Sequence, residues 1–266
     1  MLRSVLTKTL YDQRRALLGW AVGLALFVAM YVAIWPSLRN QPAMSDFLDQ
    51  MPQTFRALFA MSGADMSTPV GYIKIELLSF MGPLLLLLYA ITAGAAAVAV
   101  EEHRRTLDLL LATPVSRQRI VLEKLGAMVL GTALLAAVTG AALIGEGRLA
   151  DMHLPVDKVG AVMLHMALLA VVYGTLALAI GALTGNPAIS RTVPAVAAVL
   201  AYVVNGLGAV VSWLKPWQKF SPFYQYAGHD PLVNGVSVVA VLVAVGTVLA
   251  LAVIAVFGFR RRDVGA

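Results

Sequence analysis

Six long stretches without a charged residue constrain this chain more than any other feature. A helix needs roughly 20 predominantly apolar residues to cross the hydrocarbon core of a bilayer, at about 1.5 Å of rise per residue. Only 13% of the 266 residues are charged, about half the fraction found in typical soluble domains. The sequence therefore predicts an all-α integral membrane protein with six transmembrane helices. Cutting the sequence at every Asp, Glu, Lys and Arg leaves six runs of at least 21 residues, at 16–38, 77–100, 125–145, 159–190, 192–214 and 231–259.

Two of these runs contain signals that shorten the helix. Gly185-Asn186-Pro187 should end the fourth helix near Thr184, and Pro231 moves the start of the sixth to about Asn234. We expect one transmembrane domain covering residues 1–266. The predicted spans are about 16–38, 77–100, 125–145, 159–184, 192–214 and 234–259.

The distribution of basic residues predicts the orientation of the bundle. With both termini inside, thirteen Lys and Arg residues lie on the inner side and seven on the outer side. The positive-inside rule then places both termini and the segment 101–124 in the cytoplasm. The first apolar run is longer than the core of a cleaved signal peptide, so we expect residues 1–38 to be retained.

The N-terminal residues 1–15 combine cations with apolar residues at helical spacing. Leu2, Val5, Leu6 and Leu10 recur over two turns, which predicts a short amphipathic helix at the inner interface. The alternative is a basic flank that only sets the orientation. Because the cations of the chain lie beside apolar spans and do not share one face, we expect membrane lipid, and no nucleic acid, as a partner.

Polar residues inside the spans are few. His165 and Asn205 are predicted either to hydrogen-bond neighbouring helices or to line a transport pathway, and a proton relay would require further ionisable residues in the spans. The chain has no cysteine, which excludes disulfides and thiolate metal sites. No catalytic, metal-binding or cofactor-binding residues are predicted, so we expect a protein that is not an enzyme.

Two outer segments have no assigned role. Residues 39–76 carry apolar residues at helical spacing around Phe47, Met51 and Phe55, which predicts an amphipathic helix on the outer surface. Residues 213–226 concentrate six aromatic residues and two prolines. They form either an interfacial aromatic belt or a re-entrant element.

The segment 101–124, EEHRRTLDLLLATPVSRQRIVLEK, is the strongest candidate for a functional site. It lies between two apolar runs and carries too many charges to remain in hydrocarbon. Pro114 should end a short helix that begins near Thr106, and Ser116 is placed to cap the next helix. A purely topogenic loop would not need the apolar strip of Leu107, Leu110 and Leu111, which requires a covering partner.

This segment resembles the ABC type-2 exporter permeases, in the pattern E-E-x-x-[G]-T-L-D-L-L-L-x-x-P-V-S-R-x-x-[IV]-V-x-x-K. Residues 68–83, TPVGYIKIELLSFMGP, and the ending Phe259-Arg260-Arg261-Arg262-Asp263 extend the resemblance over almost the whole chain. Arg105 departs from the pattern, because the family usually has Gly before the Thr.

The resemblance implies a permease of the bacterial plasma membrane with a cytoplasmic coupling helix between its second and third spans. It implies two copies of an ATP-binding subunit, and a second permease protomer in a homodimer or heterodimer. ATP and Mg²⁺ belong to the partner subunit, because this chain has no G-x-x-x-x-G-K-[ST] motif. The residues placed on the coupling helix and its flanks are Glu101, Glu102, Thr106, Leu107, Asp108, Leu110, Leu111, Pro114 and Arg117.

The sequence does not determine the identity of the substrate. The apolar spans suit an amphiphilic small molecule, a drug, a peptide or a lipid. Export follows from the resemblance alone. The alternative function is a secondary transporter or channel that works without an ATPase. It would need charges or broken helices near the middle of the membrane.

The predicted topology can be tested by labelling. A membrane-impermeant reagent should modify the segment 101–124 only when it is applied from the cytoplasmic side, because the positive-inside rule places that segment there. Modification from the outer side would contradict the predicted orientation, and a cytoplasmic ATPase could then not reach this segment.

Overall fold

A computed structural model describes residues 4–39, 50–58, 65–106 and 115–262 of the chain. Every element in these residues is helical or a turn, and six helices are long and apolar enough to cross a membrane. The all-α fold with six spans is therefore confirmed. The six helices are α1 (Val5–Leu38), α2 (Pro69–His103), α3 (Arg117–Leu149), α4 (Val156–Thr184), α5 (Pro187–Leu207) and α6 (Val238–Arg261).

Several helices begin at capping side chains, and α1, α2 and α3 extend beyond the uncharged runs into charged residues. In contrast, α5 ends at Leu207 and α6 begins at Val238, both inside their runs. The Ser116 side chain caps α3 by accepting from the Arg119 amide, as the sequence predicts. Gly185, at φ +64°, ends α4. The next residue, Asn186, caps α5 with its side chain, so α5 begins earlier than the run at 192. Charged residues continue a helix into the interface, because its backbone hydrogen bonds do not require an apolar side chain.

The basic N-terminus and the first span form one continuous helix, α1, of 34 residues. Ser4 caps it by accepting from the Thr7 amide. No Pro or Gly interrupts the helix before Gly19, so nothing in its first turns forces a bend between the amphipathic stretch and the apolar run. Val5 and Thr9 are buried, and this stretch packs against the protein on one face.

Helix α2 is the least regular of the six. It contains two π-helical turns, Lys74–Leu78 and Ala96–Val100, and its dihedral angles break at Phe80, with φ −140° and ψ −59°. The Ser79 hydroxyl donates to the Lys74 carbonyl at 2.6 Å, which satisfies one backbone acceptor near the break. Such interruptions persist in a membrane where neighbouring groups satisfy the freed backbone atoms.

Helix α4 lies at the centre of the bundle. In its most apolar stretch 78% of residues are buried, against 22% for α1, 17% for α5 and 22% for α6. It packs against α2, α3, α5 and α6, while α1 packs mainly against α3. The outer helices therefore expose wide apolar faces, with Leu18, Val199 and Leu242 each more than 60% exposed. In a membrane these faces meet lipid or another protein.

Short helices occupy the connections at the end of the bundle opposite to the segment 101–124. They are Gln53–Leu58, a 3₁₀ helix at Lys215–Phe220, Pro222–Ala227 and Pro231–Asn234. In the first connection Phe55 is exposed and Met51 packs against the core, while Phe47, Leu48 and Phe59 lie outside the described residues.

The aromatic segment 213–226 divides into two parts. Trp213, Trp217 and Phe220 are exposed, as an interfacial belt would require. Phe223 and Tyr226 are buried, and the Tyr226 hydroxyl donates to the Leu78 carbonyl at 2.7 Å. The segment thus combines features of both predicted alternatives: its first half faces outward and its second half folds back into the bundle.

The contact between α2 and α4 depends on two glycines. A Cβ atom on Gly94 would overlap the Gly174 carbonyl oxygen, and one on Gly174 would lie 2.8 Å from the Ala90 carbonyl oxygen. The backbones approach directly there, as small residues permit in membrane helices. In contrast, a Cβ on Gly19 or Gly23 would meet no atom within 4 Å, so the G-x-x-x-G of α1 makes no helix contact among the described residues.

Substitution of Gly94 by Ala should destabilise the protein, because the added methyl group overlaps backbone that cannot rotate away. We expect a loss of about 1–3 kcal/mol, typical of overpacking, measured by thermal unfolding in detergent. Gly19→Ala is the matched control. It adds the same methyl group to an open helix surface, so it should be neutral or stabilising by up to ~1 kcal/mol. Equal stabilities for the two variants would contradict the close contact.

Candidate coupling site

The C-terminal end of α2 closes in a Schellman motif that depends on Arg105. The Arg105 amide donates to the Glu102 carbonyl at 2.9 Å, and the Thr106 amide donates to the Glu101 carbonyl at 2.9 Å. Arg105 has φ +57°, the left-handed conformation that glycine adopts most easily. The turn thus keeps the geometry of a glycine turn although this chain has Arg at that position.

An ion pair joins α2 to α3 directly beside this turn. The Lys124 ammonium contacts the Glu101 carboxylate, and the Lys124 side chain is only 6% exposed. Glu101 remains 31% exposed, so water still reaches the carboxylate. The pair connects the two helices that flank the segment 107–114. The sequence pattern predicts Glu101 as a site residue, but it does not indicate that Lys124, the last residue of the motif, is its partner.

Arg117, the first residue of α3, binds the C-terminal end of α6. Its guanidinium donates to the Phe259 carbonyl at 3.2 Å and to the Arg262 carbonyl at 2.6 Å. It also lies 5.6 Å from the centre of the Phe259 ring. A cation at a helix C-terminus satisfies carbonyl groups that have no partner within the helix and complements the negative end of the helix dipole.

Glu102 and Arg262 extend the contacts to α4. Their side chains form an ion pair, and Arg262 also donates to the Gly181 carbonyl at 3.2 Å, in the last turn of α4. Both partners are mostly buried, with side chains 23% and 18% exposed. Any Cβ at Gly185 would meet these two side chains at 2.7–2.9 Å, so a residue without a side chain leaves space for the pair.

Glu123 attaches α1 to the same end of the bundle. Its carboxylate accepts from the Leu6 amide at 2.9 Å and from the Arg119 guanidinium at 2.6 Å. The Leu6 amide is one of the first-turn donors that have no partner within α1. The sequence does not predict this contact, because the two residues are 117 positions apart and no local pattern connects them.

Polar contacts at this end therefore join five helices, α1, α2, α3, α4 and α6, around the two ends of the segment 107–114. Of the predicted coupling residues, Glu101, Glu102, Thr106 and Arg117 are part of this arrangement. The others lie outside the described residues: Leu107, Asp108, Leu110, Leu111 and Pro114. The arrangement supplies mechanical connection, and no chemical step is apparent from it.

The two predicted polar residues of the spans lie away from this site. His165 is buried and accepts from the Ser237 amide at 3.1 Å, which links α4 to the start of α6. The Asn205 carbonyl accepts from the Gln218 side chain at 2.6 Å. In the described part of the chain no three His, Asp or Glu residues are grouped to hold a metal ion.

The end opposite to the coupling site has polar contacts that are partly or fully buried. Lys74 of α2 forms an ion pair with Asp230 in the connection before α6. Burial raises the pKa of the nearby Tyr226 phenol, and the Asp230 charge raises it further. Tyr226 therefore remains neutral and serves as a hydrogen-bond donor.

Comparison with known proteins identifies the family. The family model described as "Multidrug efflux system permease Rv1217c, C-terminal domain" matches residues 2–260 of the chain. No individual curated protein matched. The family match covers all six helices, both flanks of the coupling segment and most of the residues that join the helices at that end. The chain therefore belongs to this multidrug efflux permease family, which is a family of ABC-2-type permeases.

Proposed function

We propose that the chain is the membrane-spanning subunit of an ATP-driven exporter and that a separate ATPase moves it through residues 101–118. The family supports a permease role. The observation that carries the coupling proposal is the anchoring of the segment 107–114 on both sides. On the N-terminal side of the segment, Glu101 pairs with Lys124. On its C-terminal side, Arg117 binds the end of α6.

Anchoring on both sides lets a force on the segment act on whole helices. If the ends of the segment were loose, a push from a partner would only deform the loop. Here Glu101 and Glu102 join α2 to α3 and to the end of α6, while Arg117 fixes the start of α3. Closure of the ATPase subunits would then tilt α2 and α3 together and open a path for the substrate, as alternating access requires.

The proposed complex contains two ATP-binding subunits, which hold ATP and Mg²⁺, and two permease protomers. The exposed apolar faces of α1, α5 and α6 leave room for both lipid and a second protomer. We propose a multi-pass location in the bacterial plasma membrane with both termini in the cytoplasm. The family description supports drug-like amphiphiles as substrates and export as the direction.

The competing function is a secondary transporter or channel. Two features favour it, the break of α2 at Phe80 and the Lys74–Asp230 ion pair. Both lie toward the outer end of the bundle, at the start of α2 and in the connection before α6, whereas carriers hold their sites near the middle of the membrane. We therefore prefer the ATP-driven exporter.

Deletion of residues 104–116 should abolish co-purification with the ATPase subunit while membrane insertion is retained. The deletion removes the apolar strip that a partner would cover, together with the Arg105 turn and the Ser116 cap, but it removes no residue of the six helices. The measurement is the amount of ATPase recovered with a tagged permease from detergent extracts, normalised to the permease in the membrane fraction.

Undiminished recovery of the ATPase would show that the partner binds elsewhere and would overturn the coupling proposal. Substrate transport by the intact chain in proteoliposomes without any ATPase would favour the secondary transporter instead.

Substitution of Lys124 by Met should weaken the coupling of α2 and α3 to the ATPase without preventing the ATPase from binding. It leaves the Glu101 carboxylate without its cation. We expect the free energy of unfolding to fall by about 2 kcal/mol, less than the ~3–5 kcal/mol of a fully buried pair, because Glu101 still contacts water. The ATPase should still bind, but drug stimulation of ATP hydrolysis should decrease, since α2 and α3 no longer move together.

Lys8→Met is the matched control, because Lys8 lies near the same end but is exposed. The double variant Glu101→Gln with Lys124→Met should recover stability without recovering coupling, since it removes the unpaired charge but not the lost connection. A Lys124→Met protein as stable and as strongly stimulated as Lys8→Met would exclude the ion pair from the mechanism.

A further inference from the structure

A cavity of about 250 Å³ lies between α4, α6 and the aromatic segment 213–226. Its wall is apolar and comes from both helices, with Leu168, Leu169 and Val172 on α4 and Val243 and Ala244 on α6. The Lys219–Gln225 region covers its outer end. This space, here called the His165 cavity, is distinct from the coupling site at the opposite end of the bundle.

The His165 cavity is a slot that runs along the helices. On α4 its lining extends from His165 to Val172, and on α6 from Ala240 to Thr247. Seven residues of α-helix in each case correspond to a length of about 10 Å. The volume is slightly below the ~300–1,000 Å³ of drug-sized pockets. A slender chain fits such a slot better than a bulky ring system.

The side of the slot opens toward the membrane. Phe220 is 81% exposed and Val243 is 45% exposed, although both line the cavity. Ala244 behind them is 8% exposed and forms the back wall. A molecule in the surrounding lipid can therefore enter sideways without leaving the hydrocarbon.

The outer end of the slot is positively charged. Lys219 lines the cavity, and no carboxylate within the described ranges is paired with its ammonium group. Its position is fixed from behind, since Gln225 donates to the Lys219 carbonyl at 3.1 Å and Ser221 donates to the Ala201 carbonyl at 2.9 Å. A cation at the mouth of an apolar slot complements an anionic head followed by an apolar tail.

His165 adds a hydrogen-bond donor to the wall. Its Nε2 accepts from the Ser237 amide, so the proton of the neutral ring is on Nδ1. Within the residues that the structure describes, Nδ1 has no acceptor. A buried donor that lines a cavity suits a ligand with an ester, carboxylate or hydroxyl oxygen near the top of its chain.

We propose that the His165 cavity binds the acyl chain of an anionic amphiphile, with the charged head at Lys219. The proposal concerns binding from the membrane and goes beyond the proposed transport function. Either of the two can be correct without the other. An anionic phospholipid and a free fatty acid share the required chemistry, and the experiment separates these two sources.

The test uses the full chain, purified in detergent micelles and incubated with photoactivatable probes. One probe is phosphatidylglycerol with a diazirine in its acyl chain, one is the corresponding phosphatidylcholine, and one is a diazirine fatty acid. Crosslinked peptides are identified by mass spectrometry. We expect saturable labelling of the cavity residues of α4 and α6 by at least one anionic probe, and weaker labelling by phosphatidylcholine.

Two variants with matched controls test the two parts of the site. Lys219→Gln should reduce the preference for the anionic probe about fivefold, the factor equivalent to ~1 kcal/mol for one cation near an anionic headgroup. Lys215→Gln, on the same 3₁₀ helix but outside the cavity lining, should not. Ala244→Phe should block labelling by filling the slot, while Leu242→Phe, exposed on the same helix, should leave it unchanged.

Labelling by the fatty acid alone would assign the site to free fatty acids, and labelling by phosphatidylglycerol would assign it to a membrane phospholipid. The proposal is overturned if labelling is spread over all exposed faces and is insensitive to Ala244→Phe. It is also overturned if Lys219→Gln and Lys215→Gln give the same preference for the anionic probe. Because Lys219 is exposed, its variant tests the site even if Ala244→Phe fails to fold.

Discussion

The absence of water from the bilayer core governs the distribution of interactions in this protein. Backbone groups in hydrocarbon must be satisfied inside each helix, and charged side chains must move to the ends. As a result the helices are held together by two different means. Direct packing joins them within the membrane, as at Gly94 and Gly174. Polar contacts join them at the end that carries the coupling segment, where Glu101 and Glu102 form ion pairs with neighbouring helices and the Glu123 carboxylate accepts from the Leu6 amide.

Several of these polar contacts lie close to the two ends of the segment 107–114. The three carboxylates join helices that are far apart in sequence, and Arg117 and Arg262 satisfy the terminal carbonyls of α6 and α4. A partner that displaced the segment 107–114 would act on all of these contacts together. The opposite end has its own ion pairs, Lys74–Asp230 and Arg39–Asp151, and there the aromatic segment and α6 leave the slot beside His165 open on one side.

The number of spans and several helix ends could be predicted from the sequence, because hydrocarbon imposes a length and capping residues act locally. Gly185, Asn186 and Ser116 end or begin helices where their chemistry requires. The partners in the coupling site could not be predicted. The hydrogen bonds from the Leu6 amide to Glu123 and from the Tyr226 hydroxyl to the Leu78 carbonyl depend on which helices become neighbours. Periodicity and charge counts contain no information about that.

The direct backbone contact of Gly94 with Gly174 limits how the protein can change shape. Since no side chain separates the two helices there, no change of rotamer can accommodate sliding of α2 along α4. We therefore expect α2 and α4 to move together when the protein changes conformation. Rearrangement is easier at the contacts where side chains, which can change rotamer, separate the helix backbones.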